Sequence, residues 1–229
     1  MMKKALYILM LALMPLLAMA ADNEWHPIAS WPFTYQEFKT AMIITSTNQK
    51  LKAKANLHVG SHYLWYENSA KKKLEAKIGT IQKVVFPGDE TYYAIDKKLC
   101  KVLREDTING KVCRLYVSHE VDKAAFDERT KINRQAMQNL DVGIAGIADM
   151  YSEIADREGA AMIEEEPLPM RDLFYMLYGG ETFLVNETNI LKHLSKEERN
   201  AYRSFTRSAE IIYGNESSII NVWLTFFVK

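Results

Sequence analysis

Cysteine is scarce, with two in 229 residues, so neither a disulfide scaffold nor a multi-cysteine metal cluster organises this chain. Net charge is missing too: 29 basic residues balance 29 acidic ones, which removes any bulk attraction to nucleic acid or an anionic membrane. Beyond residue 20 no apolar run approaches the roughly 20 residues of a membrane span; the most apolar stretch, Ile219 to Val228, is too short. There is no G-x-S-x-G, H-E-x-x-H, Walker A or G-x-G-x-x-G sequence, hence no motif for a serine elbow, a zinc protease or a nucleotide loop, and no cofactor is expected.

What is present begins with an export signal. Lys3 and Lys4 precede the uncharged apolar run Ala5 to Leu17, and Ala18 and Ala20 occupy −3 and −1 of an A-x-A cleavage site. Residues 1–20 therefore read as a signal peptide, the mature chain starts at Ala21, and the destination is periplasmic or extracellular. Cleavage leaves two more acids than bases and no transmembrane segment, so the mature chain is expected to be soluble. A hydrophobic fraction of 48% with 12 Tyr excludes wholesale disorder.

Residues 21–122 read as an antiparallel β-meander preceded by an aromatic leader with Trp25, Trp31 and Phe33. Leu51, Ala53, Ala55, Leu57 and Val59 alternate with Lys52, Lys54, Asn56 and His58, the period of a strand with one wet face. Gly60 and Ser61 suit a tight hairpin returning through Tyr63 to Tyr66. Further strands follow at Leu74 to Ile78, Ile81 to Phe86, Thr91 to Ile95, Leu99 to Arg104 and Lys111 to Val117. Residues 123–169 form a helical or flexible connector: Leu140, Ile144, Ile147, Tyr151 and Ile154 recur at helical spacing. Residues 155–169, with Glu164 to Glu166, Pro167 and Pro169, read as its most mobile part. In 170–229, Leu173 to Tyr178 and Glu181 to Val185 flank Gly179 and Gly180 as a hairpin. Ser195 and Glu198 make a capping box for a helix over Lys196 to Ser208. Ser217 to Phe227 is helix or strand. The fold class is α+β, with the hairpin and helices packed on the sheet as one domain with the meander.

Candidate chemistry is thin. Cys100 and Cys113 flank a turn, and the register decides whether they bridge. A four-residue loop at Glu105 to Ile108 sets them opposite each other, whereas a turn at Asn109 and Gly110 pairs Cys113 with Asp106 and keeps them apart. His58 and His62 flank Gly60, but a two-residue hairpin puts them on opposite faces, with no acid or Cys cluster to complete a metal site. Ser61, His119 and Asp122 lack any spacing that brings them together. Tyr63 and Trp65 share a face and could stack on a sugar or peptide, although core packing is the commoner fate. Asn186 and Asn215 fit the N-x-[ST] pattern and suit helix caps or turns.

The strand pattern of Lys52 to Leu57, Tyr63 to Tyr66 and Lys98 to Leu103, with the hairpin Leu173 to Val185 and the helices behind it, resembles uncharacterised exported proteins of Bacteroidetes bacteria over about two thirds of the chain. The resemblance implies a β-rich exported domain and carries no activity. A curved meander with helices inside would also resemble lipoprotein-carrier folds. The expected function is that of a non-catalytic cell-envelope protein binding a protein, a glycan or an apolar ligand. The alternative is a hydrolase of cell-wall or dietary polymers with a site assembled from dispersed residues.

Overall fold

The computed structural model describes residues 25–131 and 166–228. The signal segment and the periodic pattern from Leu140 to Ile154 lie outside the described residues. Ten strands, β1 (Lys39–Thr45), β2 (Lys50–Leu57), β3 (Leu64–Glu67), β4 (Lys73–Glu75), β5 (Ile81–Val85), β6 (Thr91–Ile95), β7 (Lys98–Ile108), β8 (Lys111–Val121), β9 (Met170–Tyr178) and β10 (Glu181–Leu184), form one antiparallel sheet. With its helices this makes a β-rich α+β fold. The strand order, β10-β9-β8-β7-β6-β5-β1-β2-β3-β4, is not a simple meander. The chain returns through a 3-10 turn, Ile78–Thr80, and lays β5 beside β1, Met42 against Val85 and Ile43 against Val84.

One face of this sheet holds two apolar clusters. Helices α1 (Glu187–His193), α2 (Lys196–Ala209) and α3 (Glu216–Phe226) cover the first. Ile190, Leu194, Tyr202, Ile219, Val222, Trp223 and Phe226 pack there on Cys113, Leu115, Val117, Phe174 and Met176 of β8 and β9. The choice between helix and strand for the last apolar run follows from its cap. The Asn215 side chain accepts the Ser218 amide, and Ile219, Val222, Trp223 and Phe226 then share one stripe. Asn186 caps α1 in the same way and Ser195 with Glu198 closes the capping box of α2, so both N-x-[ST] sites are helix starts. The second cluster gathers Ala41, Ile43, Ala55, Leu57, Leu64, Val84, Tyr92 and Leu99 with Tyr35, Ile78, Ile81 and Phe86.

Asn56 ties the N-terminal segment to β2. Fully buried, it accepts the amides of Tyr35 (3.1 Å) and Leu57 (2.9 Å) and donates to the carbonyls of Tyr35 (2.7 Å) and Glu37 (3.2 Å).

The register settles the open question of the two cysteines against a bridge. The β7–β8 hairpin turns on Asn109 and Gly110, both at positive φ, which pairs Ile108 with Lys111 and Cys113 with Asp106, while Cys100 pairs with Tyr93. The two thiols also sit on opposite faces. Cys113 belongs to the helix-covered cluster and Cys100 packs with Tyr116 and Tyr175; both are free and buried. Burial pushes the Cys100 thiol up to about 12, so it is a small hydrophobe rather than a nucleophile. Two thiols should therefore react with Ellman's reagent once the chain is denatured without reductant, and none in the native state. Finding no thiol after denaturation would refute the register.

The expected mobility of residues 155–169 meets a pinned end. Glu166 pairs with Arg129 (3.4 Å), the Leu168 amide donates to the Pro27 carbonyl (2.7 Å) and the Pro169 carbonyl accepts the Asp122 amide (2.8 Å); residues 155–165 lie outside the described residues. Residues 123–131 begin the connector as helix, started by Asp122, whose side chain accepts the Ala124 and Ala125 amides. Among the described residues no helix is long and apolar enough to cross a membrane.

Candidate functional site

The second face of the sheet is apolar at its centre as well. An antiparallel sheet ordinarily turns a polar face to water when its other face is buried. Here Cys100, Tyr116 and Tyr175 are buried together, with Tyr93, Ile95, Val102, Leu173 and Leu177 packed around them, and among the described residues the cluster is drawn from strands alone. The register explains the grouping. Tyr93 lies opposite Cys100, and Val102, Tyr116 and Tyr175 form one row across β7, β8 and β9. Burial raises Tyr116 and takes Tyr175 to about 12, so the phenols stay neutral.

Toward β2 the same face becomes basic. Lys50 pairs with Ile44, Ile44 with Lys83 and Lys83 with Tyr93, so one row runs lysine, isoleucine, lysine, tyrosine. Lys52 lies opposite Met42 in the next pair. Tyr93 collects cations: the Arg114 guanidinium is 4.6 Å from its ring centre and the Lys83 ammonium 5.6 Å, while Tyr116 meets it edge-on at 6.0 Å. Arg114 is held by Glu105. At the far end the buried Glu120 pairs with Lys98 and Arg171. Burial would raise its carboxyl, but Lys98, then His62 and Arg171, hold it below the usual carboxylate range.

A second constellation lies on the opposite face, between the two apolar clusters. Thr34, Leu57, His58, Val59, His62, Tyr92, Leu99, Val117 and His119 line a cavity of about 20 Å³, space for a single water. Two sequence readings are corrected here. Leu57 pairs with Leu64 and the His58 amide donates to the Tyr63 carbonyl, so the hairpin has a four-residue loop, 59–62, instead of two residues. That loop turns His62 back beside His58 rather than onto the opposite face. His119 Nδ1 meets Asp172 Oδ1 at 2.6 Å, because β9 brings Asp172 opposite it. Ser61 Oγ is buried without a hydrogen-bond partner and completes no triad with that pair. Among the described residues no group of three or more His, Cys, Asp or Glu is arranged to hold a metal.

Next to the cavity a buried chain of hydroxyls ends on a carboxylate. Tyr92 donates to Tyr35, Tyr35 donates to Glu90 (2.8 Å), and Lys101 closes on the other oxygen. Burial would raise Glu90, but Lys101 and Tyr35 hold it low; burial and Tyr92 push Tyr35 far above the ordinary phenol.

Of the two aromatics that could stack on a ligand, Tyr63 is exposed. Trp65 is engaged within the protein, edge-on to Phe33 (6.0 Å) and stacked over His58 (6.3 Å). No local pattern marks the Tyr93–Tyr116–Tyr175 group, since its members are spread over residues 93 to 175 and meet only through strand pairing. The one local hint was the pair Tyr92–Tyr93, whose alternation demands that one ring face away from the core. No protein-family model, curated protein or solved structure matches the chain.

Proposed function

We propose that the chain is an exported, non-catalytic cell-envelope protein whose working surface is the aromatic and basic face, and that its partner is an acidic polypeptide carrying aromatic side chains. The observation behind this reading is the cross-strand row Lys50, Ile44, Lys83, Tyr93, Cys100. Cations at one end select carboxylates, and the part-exposed Ile44 and Tyr93, seated beside the buried Cys100, Tyr116 and Tyr175, accept apolar side chains. The Lys3–Lys4, Ala5–Leu17, Ala18-x-Ala20 pattern supports export. A hydrolase is the second reading, on the strength of the His119–Asp172 pair, the base-orienting half of a triad.

A random copolymer of glutamate and tyrosine is a direct probe. Calorimetry should show binding that weakens with salt. The Lys52→Glu/Lys83→Glu double variant should lose affinity by about tenfold or more while keeping the wild-type melting temperature within a few degrees. Absence of binding, or binding indifferent to the double substitution, refutes the assignment. A concentration-dependent dimer abolished by the same substitutions would give the face to a second copy instead.

A further inference from the structure

The loop between β2 and β3 depends on a hydrogen-bond pattern that only one protonation state of imidazole can make. Backbone amides donate and never accept, and those of Gly60 (3.2 Å) and Ser61 (3.0 Å) both point at His58 Nδ1. Nδ1 is therefore a bare lone pair, and the ring proton is on Nε2. A proton taken up from solvent can bind only at Nδ1, where it abolishes both hydrogen bonds and faces two N–H groups. We propose that residues 58–62 are an acid-released latch: protonation of His58 frees the loop from the N-terminal segment and opens the cavity that His62 and His119 line.

The latch has a defined seat. The Val59 amide donates to the Pro32 carbonyl (2.9 Å), the Thr34 amide to the Leu57 carbonyl (2.9 Å), and the Phe33 ring meets His58 edge-on at 5.2 Å. Gly60 allows the ring to close on the loop, since a Cβ there would lie 3.2 Å from His58 Cε1. The closed form is also incomplete. Ser61 Oγ and Trp65 Nε1 are buried without partners, and His62 is held at φ +61°, in the left-handed region that a residue with a Cβ enters at a cost. Opening hydrates both orphans and relaxes that backbone, so the balance is set to be tipped by a small change.

The charges around the latch act in both directions, and burial outweighs them. Glu75 of β4 is the acid that faces His58. His62 faces Glu120 and, against it, Lys98 of β7, Lys123 of the helix at 123–131 and His58 itself; His119 is already paired with Asp172. Glu120 attracts a charged His62 but is already engaged by Lys98 and Arg171, so burial decides in favour of the neutral ring. Burial holds both His58 and His62 below the ordinary histidine value. A folded value below the free one means that the neutral, closed form is favoured. Its stability is complete above the free histidine value and is lost as pH falls below that value toward the folded one.

The test is amide exchange by NMR on the full chain, from about pH 7.5 to about pH 4.5, with central amides of β8 as reference. The protection factors of Gly60 and Ser61 should fall roughly tenfold on acidification, and the His58 nitrogen shifts should mark Nδ1 as unprotonated at neutral pH. His58→Asn keeps an acceptor near the Nδ1 position but does not titrate, so its protection should stay flat. A proton on Nδ1 at neutral pH, protection that survives acid, or His58→Asn falling in step with wild type overturns the latch. If His58→Asn does not fold, His62→Gln decides: it should keep the wild-type response, and loss of that response moves the trigger to His62 and overturns the assignment.

Discussion

Replacing Asn56 with alanine should destabilise the protein by about 3 to 5 kcal/mol, measured as a shift in urea midpoint at constant slope. The change removes a single amide but strands three backbone groups, the amides of Tyr35 and Leu57 and the carbonyl of Glu37, while the Tyr35 carbonyl keeps the Trp31 indole N–H at 3.0 Å. Each buried group left unpaired costs on the order of 1 to 3 kcal/mol, partly recovered as water enters. Asn56→Asp separates the donor from the acceptor. It keeps the acceptor, loses the two donations and places a carboxyl in a dry site, so its folded value rises above the free one. Its deficit should then grow as pH rises through the carboxylate range. A loss near 0.5 kcal/mol for the alanine variant would mean that the N-terminal segment is not anchored there.

Trp223→Ala should cost a similar amount, about 3 to 5 kcal/mol. Trp223 is 1% exposed at the centre of the helix-covered cluster and stacks on Phe227, ring centres 6.4 Å apart. Its removal leaves a hole between α3 and β8–β9 that no single neighbour can fill, because Val222, Phe226 and Tyr202 are fixed by their own packing. Thermal unfolding should report the loss as a drop of many degrees. If the variant instead melts within a degree or two of wild type, the helices are not seated on the sheet by this residue.

Most strands could be read from the residues because each carries its own signal. Lys196 to Ala209 announces its start with Ser195 and Glu198, and Lys50 to Leu57 alternates apolar and polar along its length. What could not be read is pairing between strands distant in sequence. Nothing in Lys39–Thr45 states that its second neighbour is Ile81–Val85, since both are short apolar runs able to pair with any edge. The histidine cavity was hidden for a related reason. Gly60 and Ser61 look like a two-residue turn, and only the capping of their amides by His58 extends the loop to four. Asp172 meets His119 through the pairing of β9 with β8, which no local pattern encodes. The disulfide turned on whether Asn109 and Gly110 or Glu105 to Ile108 made the turn. Asn-Gly is the stronger hairpin signal of the two, because both residues tolerate positive φ.

The strand order has a kinetic consequence. Within β1–β4, within β5–β8, and between β9 and β10 every pairing joins chain neighbours, so these hairpins can zip from their turns. Two seams are different in kind: Met42 finds Val85 and Val121 finds Met170 only after long stretches of chain are closed into loops, an entropic cost met before any contact rewards it. Folding is then an assembly of three prefabricated pieces. The rate-limiting event is the docking of one piece on the next, and a mutation within a seam should slow folding more than one of equal equilibrium cost within a hairpin.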